Sequence, residues 1–207
     1  MRLLKWIRYG AWTAVVVVGF VSAAVLLGWW RVDGPGRPSD AGNLAGVAAS
    51  PVGGPFTLVD HTGKTVTDKD FLGTPLAVFF GFTHCPDVCP TTLTKMASLT
   101  KQIGAQADRL RVLLVTVDPE RDTPEQLALY LQSFDPRVVG LTGSREQIDS
   151  ILAAYKAYAK KIPTDDSYTM DHTAGVYLMD ANGKFRTMID YHEEDAPAIE
   201  KIRMVLK

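Results

Sequence analysis

Two side chains able to act as soft donors sit four positions apart. Cys85 and Cys89 are the only cysteines of the 207-residue chain, and both lie in Phe80-Gly-Phe-Thr-His-Cys-Pro-Asp-Val-Cys-Pro90. Two thiols on one turn can close a disulfide or, as thiolates, hold a soft metal ion. The apolar run Pro75-Leu-Ala-Val-Phe-Phe80 enters the turn. It is short, β-branched and aromatic, which predicts a buried strand. Residues 91–107 leave it in helical pattern, and Pro90 suits a first helical turn, where a missing N–H loses no partner. The thiols are therefore expected on a strand-to-helix turn. A helix N-terminus stabilises negative charge and favours thiolate over thiol. If the turn is helical, the four-residue step points both sulfurs to one side.

The remaining elements must position that turn. Phe56-Thr-Leu-Val-Asp60 and Thr65-Val-Thr67 read as short strands around a glycine-bearing turn at His61–Lys64. Leu93, Met96, Leu99 and Ile103 mark one face of the helix after the cysteines. Arg111-Val-Leu-Leu-Val-Thr-Val117 reads as the next strand, dominated by apolar residues as central parallel strands are. In Asp118-Pro-Glu-Arg-Asp-Thr-Pro124, Thr123 and Pro124 predict an N-cap and a first helical residue. Val138–Leu141 reads as a short strand, and Ser144-Arg-Glu-Gln147 as a capping box opening another helix. Residues 160–170 read as a polar loop. Gly175–Met179 and Phe185–Ile189 predict a hairpin around Asp180-Ala-Asn-Gly183, and Asp195 a cap for the last helix. The order predicts an α/β class with a mixed central sheet flanked by helices.

The formal net charge of −1 offers no basic face, so nucleic acid is not an expected partner. Two cysteines exclude a disulfide scaffold and a four-cysteine zinc site. Residues 1–10 form a basic head. Residues 11–30 carry no charge over twenty positions, with Trp12 near one end and Trp29 and Trp30 at the other, which predicts a transmembrane anchor. A cleaved signal peptide is the competing reading, and the apolar run beyond Val21-Ser-Ala23 argues against it. Residues 31–54 are rich in Gly, Pro, Ser and Ala and form a flexible tether; residues 55–207 form the folded domain. The charge bias around the span places the domain outside a bacterial inner membrane, facing the periplasm.

With the cysteine turn and the element order in hand, residues 51–207 resemble the Sco/SenC family. Three blocks carry the resemblance: Gly81-Phe-Thr-His-Cys-Pro-Asp-Val-Cys-Pro90, Thr116-Val-Asp-Pro-Glu-Arg-Asp-Thr-Pro124 and Asp171-His-Thr-Ala174. The resemblance implies a thioredoxin-like fold, a membrane anchor and a role in assembling the copper centre of cytochrome c oxidase. It implies that Cys85, Cys89 and His172 are ligands to copper, Cu(I) or Cu(II). Its partners would be the copper-bearing oxidase subunit and a copper donor chaperone or thiol reductant. In such folds the residue before the strand equivalent to 175–179 faces the cysteine turn, which would bring His172 to the sulfurs.

Two thiolates and an imidazole suit copper, and three ligands leave an open side for a client to attack. Structural zinc normally takes a fourth protein ligand. His84, next to Cys85, is expected to point away. His61 and His192 are expected on the solvated surface, and Asp87 to bond backbone N–H groups of the turn. The Asp118–Thr123 loop is read chiefly as turn chemistry. Met96, Met170, Met179 and Met188 lack the paired spacing of a methionine copper site. The alternative function is a thiol–disulfide oxidoreductase that reduces the oxidase's copper-site cysteines, with Cys85 and Cys89 as the redox-active thiols. A purely structural disulfide is disfavoured because so short a loop constrains little. A peroxiredoxin-like peroxidase is disfavoured by Phe82, which stands where such enzymes place Thr or Ser.

Overall fold

β1 (Thr57–Asp60) and β2 (Thr65–Thr67) form the expected hairpin. Asp60 Oδ1 accepts the N–H groups of Thr62 and Lys64, and Gly63 takes the left-handed conformation the turn requires. The computed structural model describes Gly19, Phe20, Ala23 and residues 52–207. The expected basic head, membrane span and most of the tether lie outside the described residues. Among the described residues, no helix is long and apolar enough to cross a membrane.

Apolar side chains on both faces of a strand demand cover on both faces. β3 (Leu76–Gly81) is buried at all six positions and runs parallel to β4 (Arg111–Thr116), which is buried at all but Arg111. α1 (Val88–Ile103) forms the crossover between them, burying Cys89, Leu93, Met96 and Leu99. α2 (Pro124–Leu131) crosses to β5 (Val138–Thr142), again parallel. α3 (Arg145–Tyr155) follows. The two caps read from sequence are present. Thr123 accepts from the N–H of Gln126, and Ser144 and Gln147 form the reciprocal box.

Residues 160–170 are not a loop. β6 (Ala159–Pro163) and β7 (Tyr168–His172) pair antiparallel as a ribbon separate from the main sheet. Their pattern hides them, because the lysines at 160 and 161 and Pro163 face solvent and no apolar alternation marks a strand. β8 (Val176–Met179) and β9 (Phe185–Ile189) form the hairpin expected around Asn182-Gly183. α4 (Asp195–Val205) closes the domain; its N-cap is Glu194, one residue before the expected Asp195, which enters the first turn.

The seven-stranded sheet has the order β2-β1-β5-β4-β3-β8-β9, mixed as expected. One register matters for function. β8 runs antiparallel to β3 with Val176 opposite Phe79. The chain just before Val176 must therefore pass beside the exit of β3, where the cysteine turn begins.

Candidate metal centre

β3 ends at Gly81, whose carbonyl accepts the Val117 N–H at 2.8 Å. A Cβ on Gly81 would lie 3.0 Å from Cys89 Sγ and 2.8 Å from the Phe79 ring, so glycine lets α1 start close against the strand. The Cys85 N–H donates to the Phe82 carbonyl, and the chain enters α1 at Val88. Cys89 is the second helical residue. Its N–H, one of the orphan donors of a helix start, donates to Cys85 Sγ at 3.4 Å. Asp87 does not do this work. It sits at the N-cap position without capping and accepts instead from the Thr91 hydroxyl at 3.3 Å.

His172 ends β7. Its Nε2 lies 3.7 Å from Cys89 Sγ, and the two sulfurs and one ring nitrogen all fall within 4.8 Å of one another. Metal–donor bonds of about 2.0–2.3 Å put the donors of a trigonal site roughly 3.5–4 Å apart, so little closure separates this group from ligation. The imidazole is oriented from both sides. Its Nδ1 is 3.1 Å from the Thr173 carbonyl, which can only accept, so Nδ1 carries the proton and Nε2 presents its lone pair to the sulfurs. The rings of Phe79 and Phe82 hold it edge-on, at centroid distances of 6.0 and 5.7 Å.

Both cysteines are free thiols; Cys85 is partly exposed and Cys89 fully buried. The hydrogen bond from Cys89 holds the Cys85 thiol well below its ordinary value, down to about 4, with the backbone N–H groups of the turn adding to it against the opposing effect of burial. Donating that bond, and burial, push Cys89 upward. In the reduced, metal-free pair, Cys85 is the thiolate and Cys89 the thiol. Soft donors with one charge already in place, open on the Cys85 side, can bind a soft cation or attack a disulfide.

A family model described as SCO1/SenC matches residues 45–207. The chain belongs to the SCO1/SenC family. It is 46% identical over 144 residues to the mitochondrial SCO1 homolog of Homo sapiens, an alignment that covers 68% of this chain and 47% of that protein. The chain thus spans about half the length of that relative. Among solved structures it is similar to copper-bound ScoI of Bradyrhizobium japonicum, at 45% identity and a TM-score of 0.69, over 74% of this chain and 99% of the other. It is also similar to BsSco, at 27% identity and a TM-score of 0.62, over 76% of this chain and 95% of the other. BsSco is a member of the Sco family of cytochrome c oxidase assembly proteins in which a disulfide switch was identified.

In this SCO1/SenC chain the other histidines stand apart from the donor group. His84 Nδ1 is 3.0 Å from the Thr83 hydroxyl, and its side chain is 52% exposed. His192 is exposed as expected. His61 is not simply solvated: its Nδ1 accepts the Gly140 N–H at 3.2 Å and pins β1 to β5.

The larger surprise is the loop between β4 and α2. Asp122 is fully buried and accepts three hydrogen bonds, from the Thr83 N–H at 3.1 Å, the Thr83 hydroxyl at 2.6 Å and the Thr116 hydroxyl at 2.6 Å. Burial pushes its carboxyl upward, against the lowering by those donors. Asp118, also buried, holds Arg121 and the Tyr168 hydroxyl. Pro, Asp and Thr at these positions are what any strand-to-helix turn asks for, so their chemistry was visible in the sequence but their destination was not.

Proposed function

We propose that this protein is a copper metallochaperone. In this reading residues 55–207 carry one copper ion as cargo between Cys85, Cys89 and His172 and pass it to the binuclear copper site of a cytochrome c oxidase subunit. The observation that carries the reading is the imidazole nitrogen 3.7 Å from Cys89 Sγ, within a three-donor group of metal-site dimensions. A protein that only exchanged thiols would have no use for an imidazole so oriented. Copper in the related ScoI and the oxidase-assembly role of BsSco support the same cargo and client.

The division of labour follows from the geometry. Cys85, partly exposed and anionic, meets an arriving soft cation first. Cys89 supplies the second sulfur once its proton leaves, and His172 Nε2 completes three-coordination without a proton to shed. The unfilled side lets a client's sulfur or imidazole enter before the cargo leaves. Residues 11–30 would anchor the chain in a bacterial inner membrane with the domain facing the periplasm, where a donor chaperone loads it.

A second reading, thiol–disulfide exchange, is favoured by the same sulfur pair. The Cys85 thiolate would attack a client disulfide and release one client thiol. Cys89, losing its proton, would then displace the other, leaving a reduced client and a Cys85–Cys89 disulfide. Copper titration of the reduced protein separates the two. One equivalent is expected to bind, with Cys85→Ser and Cys89→Ser abolishing tight binding. His172→Ala is expected to weaken it by at least the roughly tenfold that loss of an outer-shell partner costs, with an unchanged circular dichroism spectrum. Unchanged affinity in His172→Ala would hand the function to thiol exchange.

A further inference from the structure

His172 lies 83 residues beyond Cys89, and the ribbon that ends in His172 lies outside the main sheet. A two-stranded ribbon has little stability of its own, so something else must set where its end points. Its base is tied by the Tyr158 N–H to the Thr173 hydroxyl and the Thr173 N–H to the Tyr158 carbonyl. Its far end is gripped by the loop between β4 and α2. The Arg121 guanidinium lies over the Tyr168 ring at 3.8 Å, and its Nη1 donates to the Tyr168 carbonyl at 3.1 Å. Arg121 Nε donates to Asp118 Oδ2 at 2.5 Å, while the Tyr168 hydroxyl donates to Asp118 Oδ1 at 2.9 Å. Asp118 is buried between the two, and Lys161 of the other strand pairs with Glu120 of the same loop at 2.6 Å.

The opposite side of that loop holds the cysteine segment, through Asp122 to Thr83 and Val117 to Gly81. One seven-residue turn thus touches both ligand-bearing segments. Arg121 also faces the Phe82 ring at 5.9 Å, the same ring that edges His172. We propose that Arg121 and Tyr168, joined through Asp118, are positioning residues that set the imidazole of His172 against the cysteine pair. The clamp deepens the metallochaperone reading and rests on it for its purpose. The positioning itself is a property of the metal-free protein and is testable without copper.

A guanidinium offers two donors in a fixed fork and a flat face for the tyrosine ring, neither of which lysine reproduces. The test is therefore the ring-proton NMR signals of His172 in the reduced, metal-free protein, assigned by their loss in His172→Ala. Between two phenyl rings these signals are displaced from those of a free histidine. In Arg121→Ala they are expected to move toward free-histidine positions while the methyl signals of the core keep theirs. Arg121→Lys is expected to restore only part of the displacement. Tyr168→Phe, which keeps the ring and leaves Asp118 with its cation, serves should Arg121→Ala not fold, and its signals are expected to shift the same way by less. His172 signals unmoved in the folded variants would overturn the proposal, whatever copper does.

A copper arm tests the consequence. Arg121→Ala is expected to lower copper affinity about tenfold in the wild-type background and by much less in His172→Ala, because the clamp acts through the ring. Equal losses in both backgrounds would show that Arg121 acts on the site other than through His172 and would overturn the assignment. Absence of copper binding in the unaltered protein would sink the metallochaperone reading alone, leaving the NMR result to decide the clamp.

Discussion

Cys85 accepts and Cys89 donates, so the two sulfurs titrate as a pair whose protons leave at widely separated pH. The folded value of Cys85 lies below that of an unfolded thiol, about 8.5. Its ionisation therefore stabilises the reduced fold in full above that pH, and the contribution is lost as pH falls toward about 4. Cys89 has the opposite sign: its raised value favours the fold below pH ~8.5 and forfeits that advantage in alkali. Alkylation of the reduced, metal-free protein reads the asymmetry directly. Iodoacetamide is expected to label Cys85 at a rate nearly independent of pH from about 5.5 to 8, while buried Cys89 stays unlabelled, as followed by peptide mass spectrometry. A rate climbing tenfold per pH unit across that window would mean an ordinary thiol at Cys85.

At the scale of elements, the loop from Asp118 to Thr123 does two jobs at once. Its end is a cap, with Thr123 and Pro124 starting α2. Its interior is a buried carboxyl, Asp122, that fastens Thr83 and with it the cysteine segment. An amide fits the same hole: Asn Oδ1 can accept from the Thr83 N–H, and its NH2 can donate to the Thr83 hydroxyl, which then donates to His84 Nδ1 3.0 Å away. Because burial raises the Asp122 carboxyl, its neutral form favours the fold below the unfolded value of about 3.9, and that advantage is lost as pH rises through the folded value. Asp122→Asn carries no such loss. Urea denaturation from about pH 4 to 7 is expected to show the unfolding free energy of the variant gaining on the wild type with pH; a constant difference would mean the carboxyl ionises as in the unfolded chain. The elements that could be read from sequence alone share a trait: their signals are local. β3 and β4 announce themselves by unbroken apolar runs, and Thr123, Ser144 and Asn182-Gly183 by turn and cap chemistry within a few residues. The ribbon of β6 and β7 cannot be read, because Lys160, Lys161 and Asp171 carry no period and the partners of Tyr168, Arg121 and Asp118, lie 47 and 50 residues upstream. The same limit applies to the site. The cysteines declare themselves by type and spacing, whereas a lone histidine at 172 has no signal of its own and only the family resemblance points to it. The register that sets Val176 opposite Phe79 is what carries it there.

For the molecule as a whole, the cargo is expected to act as a cross-link between distant parts of the chain. Any ligand that binds the folded state and not the unfolded one stabilises by mass action, about 2.7 kcal/mol at a hundred times its dissociation constant. A domain of this size gains roughly 2–4 °C in Tm per kcal/mol, so copper excess is expected to raise Tm by up to about 5–10 °C. The shift should fall short of that ceiling, since the unfolded chain keeps Cys85 and Cys89 four residues apart and can still chelate through both sulfurs. What the unfolded chain cannot do is bring His172 across 83 residues, so the imidazole carries the part of the affinity that belongs to the fold. His172→Ala should therefore lose most of the copper-induced rise while keeping the metal-free Tm of the wild type. Oxidation to a Cys85–Cys89 disulfide should abolish the rise by removing both thiolates, and reduction should restore it. Differential scanning calorimetry of the four states, reduced and oxidised, with and without copper, measures all of this. An equal rise in wild type and His172→Ala would mean that the two sulfurs as the fold holds them supply the whole stabilisation, and that the distant ring adds nothing to the grip.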